Sequence, residues 1–174
     1  MTRYRLLIFD RDGTLTYENR RYHRDLSGLS PYPFTGPVFK ELYAAGCQLA
    51  VVTNQSGIAR GYWRLEEVRA VHDRFCKEWS VTPRFYICPH LPDDGCRCRK
   101  PQPGLIQQAL SDSGIEPGAS LMVGDSLSDY GAARAAGVAF ALVLTGRGRF
   151  TRDQLPAPSA MVLDTVADLR EHYF

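Results

Sequence analysis

SLMVGDSLSDYGAARAAGVAFALVL, residues 120–144, decides the fold. Ser120 to Asp125 is an apolar run that ends in a carboxylate and reads as a buried strand. Leu127 to Ala136 reads as a helix stopped by Gly137. Val138 to Leu144 is apolar throughout and reads as the next strand. Two apolar strands joined by a helix form a right-handed crossover in a parallel sheet.

The same alternation extends in both directions. Upstream lie strands at Tyr4 to Phe9, Gln48 to Thr53 and Arg84 to Pro89. They alternate with helices at Thr35 to Ala45, Leu65 to Trp79 and Pro103 to Ser113. Thr35 is the expected cap of the first helix, and Gly46 its stop. In the second helix Val68, Val71, His72, Phe75 and Trp79 fall near one face, and His72 reads as a packed helix-face histidine. Downstream, residues 145–158 read as loop, Ala160 to Asp164 as a short strand and Thr165 to Tyr173 as a closing helix. The pattern predicts a Rossmann-like three-layer α/β/α fold with a mostly parallel central sheet and no large cap domain. The chain is expected to form one domain over residues 1–174.

Composition narrows the class. Of the 174 residues, 44% are hydrophobic and 23% charged, with a formal charge of +2. That balance carries no basic block of the kind nucleic-acid binders use. No run approaches the about 18 apolar residues of a membrane span. The start, MTRYRLLIFDRDG, lacks the long apolar core of a signal peptide. A cytoplasmic, monomeric enzyme is the expectation. Cys47 and Cys76 read as small packed residues.

In a parallel sheet all strand C-termini meet at one edge, where open α/β folds bind ligands. Asp10 and Asp12 follow the first strand, Thr53 and Asn54 the second, and Gly124, Asp125, Ser126 and Asp129 the fourth. Gathered carboxylates repel each other unless a hard divalent cation such as Mg²⁺ joins them. Lys100, Arg99 and Arg11 supply positive charge, and Thr53 a hydroxyl. A metal, a lysine, a hydroxyl and backbone amides make a phosphoryl cradle, and a carboxylate beside it can be the nucleophile. Each part has a plainer reading: a D-x-D pair is commonly a solvated turn, and Asp129 can simply cap a helix.

CPHLPDDGCRCRKPQPG, residues 88–104, holds three of the five cysteines. Cys88 and His90, then Cys96 and Cys98, offer four ligands in two pairs and suit a closed Cys₃His zinc site at 88–98. A redox thiol pair is the rival, but C-x-C beside a histidine favours metal. A structural Zn²⁺ replaces the core that so short a loop cannot build, and fixes Arg99 and Lys100.

DRDGT at Asp10, TNQSG at Thr53, RKPQPG at Arg99 and GDSLSD at Gly124 resemble, in order, the four motifs of the haloacid-dehalogenase-like phosphatases. The zinc loop is similar to the branch that includes heptose-bisphosphate phosphatases and the histidinol-phosphatase domain. The resemblance implies that Asp10 attacks phosphorus and that Asp12 protonates the leaving alcohol, then deprotonates water. It implies that Thr53 and Lys100 hold phosphoryl oxygens, and that Asp10, Asp125 and the Asp12 carbonyl hold Mg²⁺. Asp129 and Ser126 then support the site from behind. Gly13 and Gly124 allow tight backbone turns near the phosphate. Arg11, Asn54, Arg60 and Arg99 are the candidate substrate contacts.

The stretch NQSGIARGY, residues 54–62, is similar to the heptose-bisphosphate enzymes, and the short zinc loop to the histidinol phosphatases. The expected reaction is removal of the 7-phosphate of D-glycero-D-manno-heptose 1,7-bisphosphate. Histidinol phosphate, a polynucleotide 3′-phosphate and a non-catalytic zinc scaffold are the alternatives. The partner is expected to be a small phosphorylated sugar or alcohol, not nucleic acid and not a membrane. The crevice should be bounded by the Arg11–Pro33 loop, the Gly57–Trp63 loop and the zinc loop.

Overall fold

A computed structural model describes residues 4–18, 26–156 and 160–173. Its strands are β1 (Leu6–Phe9), β2 (Gln48–Asn54), β3 (Arg84–Cys88), β4 (Ser120–Gly124), β5 (Ala139–Val143) and β6 (Met161–Leu163). Its helices are α1 (Thr35–Ala44), α2 (Leu65–Trp79), α3 (Gly104–Ser113), α4 (Leu127–Ala135), α5 (Gly148–Arg152) and α6 (Leu169–Tyr173). The strands form one sheet in the order β3-β2-β1-β4-β5-β6. Every pairing is parallel. The expected three-layer α/β class is what the chain adopts.

The sheet is buried on both faces because its strands carry apolar residues at successive positions. Leu7, Phe9, Val51 and Val123 pack on one side with Phe39 of α1 and Phe75 and Trp79 of α2. Leu6, Ile8, Val52 and Met122 pack on the other with Ile106 of α3 and Ala132 of α4. Each large side chain buried this way contributes about 1.5–3 kcal/mol before chain entropy is subtracted. The alternation of faces along β1 is the period-two geometry of a strand.

Strand order reverses between β1 and β4, because the chain leaves β1 toward β2 and later returns to β1's other edge. This switch point leaves a crevice beyond the strand C-termini. Phe9 is in register with both Val51 and Val123, so the residues that follow the three central strands emerge at similar heights.

Two local expectations change. Thr35 does not cap α1: Phe34 holds the cap position, and the Thr35 hydroxyl donates to the Leu15 carbonyl at 2.8 Å. The buried hydroxyl finds its acceptor in the loop after β1, which ties α1 to that loop. The stretch after β5, expected as loop, contains α5, whose Gly148 N–H and Thr151 N–H donate to Thr145 and Arg147 carbonyls. Residues 157 and 158 of the expected loop after β5, residue 159, and residues 19–25 of the expected first loop lie outside the described residues.

Candidate active site

Asp10, the residue after β1, is buried, and its Oδ1 accepts from Lys100 Nζ at 2.6 Å. Lys100 is also bonded to Asp129 Oδ1 at 2.6 Å and to the Val52 carbonyl at 2.9 Å, so all three ammonium protons have acceptors. Burial disfavours the charged lysine, but Asp10 and Asp129 outweigh it and hold the ammonium firmly protonated. Burial and the charge of Asp129 push the Asp10 carboxyl well above its usual range, against the pull of Lys100.

Asp125 follows β4. Its Oδ2 accepts the Arg147 N–H at 2.7 Å, while burial and Asp129 push its carboxyl up to about 7. Carboxylate oxygens of Asp10, Asp125 and Asp129 lie within 4.8 Å of one another, a grouping that could hold a metal ion. Asp129 is spent on protein partners. Its Oδ1 holds Lys100, and its Oδ2 accepts from Ser126 Oγ at 2.6 Å and Ser126 N–H at 3.1 Å. Ser126 in turn caps α4 by accepting from the Asp129 N–H at 3.3 Å. Asp129 therefore completes the capping box with Ser126 while it holds Lys100, which places the lysine by the geometry of a helix start.

Asp12 points elsewhere. Arg11 donates to both its oxygens, Nε to Oδ1 at 3.1 Å and Nη2 to Oδ2 at 3.0 Å. Gln55 Nε2 reaches Asp12 Oδ2 at 2.8 Å and Thr53 Oγ1 at 2.7 Å. Burial raises the Asp12 carboxyl, but Arg11, Gln55 and Thr16 together hold it below the usual range. The Asp12 carboxylate is thus outside the clustered acidic oxygens, and only its backbone carbonyl is left for the metal role expected of this residue. Thr53, almost fully buried, accepts from Gln55 and keeps its own O–H to donate.

Gly13 is required by both conformation and space. Its φ is +86°, and a Cβ there would sit 2.3 Å from Asp125 Oδ2. Gly124 acts differently from the turn role expected of it: it ends a strand, and a Cβ would press within 2.6 Å of Asp129.

The crevice opens into a cavity of about 520 Å³. Asp12, Asn54, Gln55, Trp63, Arg99 and Arg147 are among its walls, with Glu18, Leu26 and Leu29 from the first loop. Of the candidate substrate contacts, Arg99 faces this space and also donates to the His90 carbonyl at 3.2 Å. Asn54 lines the cavity, but its amide is paired with the Lys100 backbone at both ends, donating to the carbonyl and accepting from the N–H at 3.1 Å each. Arg11 also lines the cavity, but it is almost fully buried and its guanidinium is committed to Asp12 and His72. Arg60 is exposed and outside the cavity wall.

Sequence reasoning missed Gln55, Glu18 and Arg147. Gln55 adjoins the chosen Asn54 in a polar run after a strand. Arg147 sits in the loop after β5, which the strand-end argument for β1, β2 and β4 covers equally well. There Thr145 Oγ1 donates to the Gly13 carbonyl at 2.6 Å, and Arg147 Nε meets Glu18 at 2.9 Å.

Cys88, His90, Cys96 and Cys98 form a second grouping that could hold a metal ion. His90 Nδ1 is 3.2 Å from Cys98 Sγ, and the Cys88–Cys98, Cys96–Cys98 and Cys88–Cys96 sulfurs are 3.2, 3.6 and 3.8 Å apart. Tetrahedral bonds of about 2.3 Å place donors roughly 3.8 Å apart, so the set fits a single small ion. None of the four is in a disulfide. The loop then returns through Arg97, whose carbonyl accepts the Gly104 N–H at 3.0 Å, and so delivers Lys100 to the crevice.

Comparison with known proteins agrees with this geometry. Residues 97–169 match the family model described as HAD-hydrolase-like. The D-glycero-β-D-manno-heptose-1,7-bisphosphate 7-phosphatase of Pseudomonas aeruginosa is 38% identical over 166 residues, covering 93% of each chain. A probable D-glycero-D-manno-heptose-1,7-bisphosphate 7-phosphatase of Thermoplasma acidophilum is 42% identical over 68% of this chain and 76% of its own. The crystal structure of the D,D-heptose 1,7-bisphosphate phosphatase of B. bronchiseptica, in complex with magnesium and phosphate, superposes with a TM-score of 0.90 at 34% identity, covering 96% of each chain. Full-length similarity of this degree, on a shared fold, shows that the chain belongs to the heptose-1,7-bisphosphate 7-phosphatase family of haloacid-dehalogenase-like phosphatases.

Proposed function

We propose that the protein hydrolyses the 7-phosphate of D-glycero-D-manno-heptose 1,7-bisphosphate through a phosphorylated Asp10. The observation that carries this reading is the Asp10–Lys100–Asp129 array at the switch point, with Asp125 beside it. Asp10 spends one oxygen on Lys100 and keeps Oδ2 for attack. The phosphorus–oxygen bond to the sugar breaks as the Asp10–phosphorus bond forms. The leaving alkoxide takes a proton that Asp12 has gained from solvent as the negatively charged phosphate binds beside it. Asp12 then accepts a proton from water, which attacks phosphorus and frees Asp10 and inorganic phosphate. The Arg11 clamp matches the ionised form of Asp12 that the second half-reaction needs.

Asp10, Asp125 and the Asp12 carbonyl would hold Mg²⁺. The donor set is all hard oxygen, as that ion requires, and its charge would favour ionised Asp10 and Asp125 and offset the phosphoryl oxygens. Lys100 and the Thr53 hydroxyl would hold phosphoryl oxygens, and Arg99 and Arg147 supply positive charge in the cavity wall. The Cys₃His set would hold a structural Zn²⁺. The substrate assignment draws on the heptose-bisphosphate relatives and on a cavity large enough for a sugar phosphate. No helix among the described residues is long and apolar enough to cross a membrane. We place the protein in the cytoplasm, acting as a monomer on a small sugar phosphate rather than on nucleic acid.

The test is phosphate release with Mg²⁺ from both anomers of heptose 1,7-bisphosphate, histidinol phosphate and a 3′-phosphorylated oligonucleotide. The kcat/KM for one heptose anomer should exceed the others by orders of magnitude. A preference for histidinol phosphate or the oligonucleotide would overturn the substrate assignment and leave the chemistry standing.

A further inference from the structure

Arg11 lies between the two aspartates of the first loop, yet its guanidinium turns away from Asp10. Two of its nitrogens clamp Asp12, and the third, Nη1, meets His72 Nε2 at 3.1 Å. The contact is buried and joins residues 61 positions apart in the chain. An always-charged guanidinium can only donate, so His72 Nε2 must accept and the ring must be neutral, with its proton on Nδ1. Burial and the neighbouring Arg11 lower the histidine's pKa to about 3, in agreement with that geometry. The ring is held flat against Phe85 of β3, at 4.0 Å between centroids and 13° between planes. The His72 side chain is therefore fixed by packing and fixes Arg11 in turn.

We propose that His72 is a positioning residue for Asp12, acting through Arg11. This rests on the reading of Asp12 as the proton donor and acceptor. Without His72, Arg11 loses the acceptor that sets its plane, and the two-point grip on Asp12 loosens. Misplacement of a proton-transferring group by a fraction of an ångström falls on the step that needs the proton. An alkoxide leaving group needs that proton, whereas 4-nitrophenolate departs without it. Both esters share the later attack of water on the aspartyl phosphate, so the dependence on leaving group is read in kcat/KM, which covers only the steps up to leaving-group departure. A general loss of packing would not produce it.

The test compares wild type, His72→Phe and His72→Gln on the alkyl phosphate that the wild type turns over best and on 4-nitrophenyl phosphate. Phenylalanine keeps the stack on Phe85 and removes the acceptor. Glutamine reaches the same point with an amide oxygen that can accept from Arg11. For His72→Phe we expect kcat/KM on the alkyl ester to fall by about tenfold or more, and kcat/KM on the aryl ester to stay within about twofold. His72→Gln should recover most of the alkyl activity. Equal losses of kcat/KM on both esters, an alkyl kcat/KM that is unchanged or raised in His72→Phe, or a His72→Gln as impaired as His72→Phe would each overturn the proposal. A wild type inactive on every phosphate ester would instead overturn the phosphatase reading on which it stands.

Discussion

Lys100 Nζ lies 2.6 Å from Asp10 Oδ1 although 90 positions separate the two in the chain. Nearly all of the lysine side chain is shielded from water, and Asp129 takes a second of its protons. Replacing Lys100 by alanine would leave two buried carboxylates without their counter-charge. Breaking a buried pair in this way costs about 3–5 kcal/mol. Lys100→Ala should therefore lower the denaturation midpoint as well as abolish turnover, read by urea unfolding beside the phosphate assay. A variant of unchanged stability would show that Asp10 and Asp129 are satisfied some other way.

Gly13 offers a narrower probe of the same crevice. A Cβ there meets Asp125 Oδ2 at 2.3 Å and forces an L-residue to a φ of +86°. Gly13→Ala should cost roughly 1–3 kcal/mol in backbone strain and displace Asp125. The expected kinetic signature is a higher Mg²⁺ concentration for half-maximal activity. An unchanged Mg²⁺ requirement would mean that Asp125 does not bind the ion.

The cysteine cluster should act on turnover only through placement of the 97–104 segment. Cys98→Ser is expected to lose bound zinc, measured by elemental analysis, and to lose activity that added Mg²⁺ does not restore. Full activity in verified zinc-free protein would contradict the link between the clip and Lys100.

His72 makes stability depend on pH. Its pKa is lowered from 6.5 to about 3 in the folded protein. The unfolded state therefore binds the proton first, and the contribution present above pH 6.5 is lost as pH falls toward 3. Between pH 8 and pH 5 this one group should account for about 2 kcal/mol of lost stability. Unfolding curves of wild type and His72→Gln at the two pH values measure it; equal pH dependence in both would show that His72 is not buried in the neutral form.

The architecture was legible because Leu6–Phe9, Leu49–Val52 and Leu121–Val123 are apolar on both faces, a pattern that fits a covered parallel strand. The placement of Asp10, Asp125 and Lys100 followed from strand-end topology and four ordered motifs. What sequence could not show was the division of labour among neighbours. Asn54 and Gln55 are adjacent polar residues, yet one braces the Lys100 backbone and the other bridges Thr53 to Asp12. Arg11 and Arg99 are equally basic and both line the cavity, yet Arg11 is almost fully buried in a clamp on Asp12 and His72 while Arg99 holds only the His90 carbonyl. These differences arise from side-chain direction at the crevice, which no period in the sequence encodes. His72 was readable as a packed helix residue, but its partner became visible only when β1's loop was folded against α2.

The measurement that bears most directly on the account is rapid quench of the working enzyme with substrate, followed by reduction with tritiated borohydride and peptide mapping. The account predicts a phosphoryl group on Asp10, recovered as its reduced product, and no labelled peptide or turnover in Asp10→Asn. Label on another residue, or steady turnover in Asp10→Asn, would contradict it.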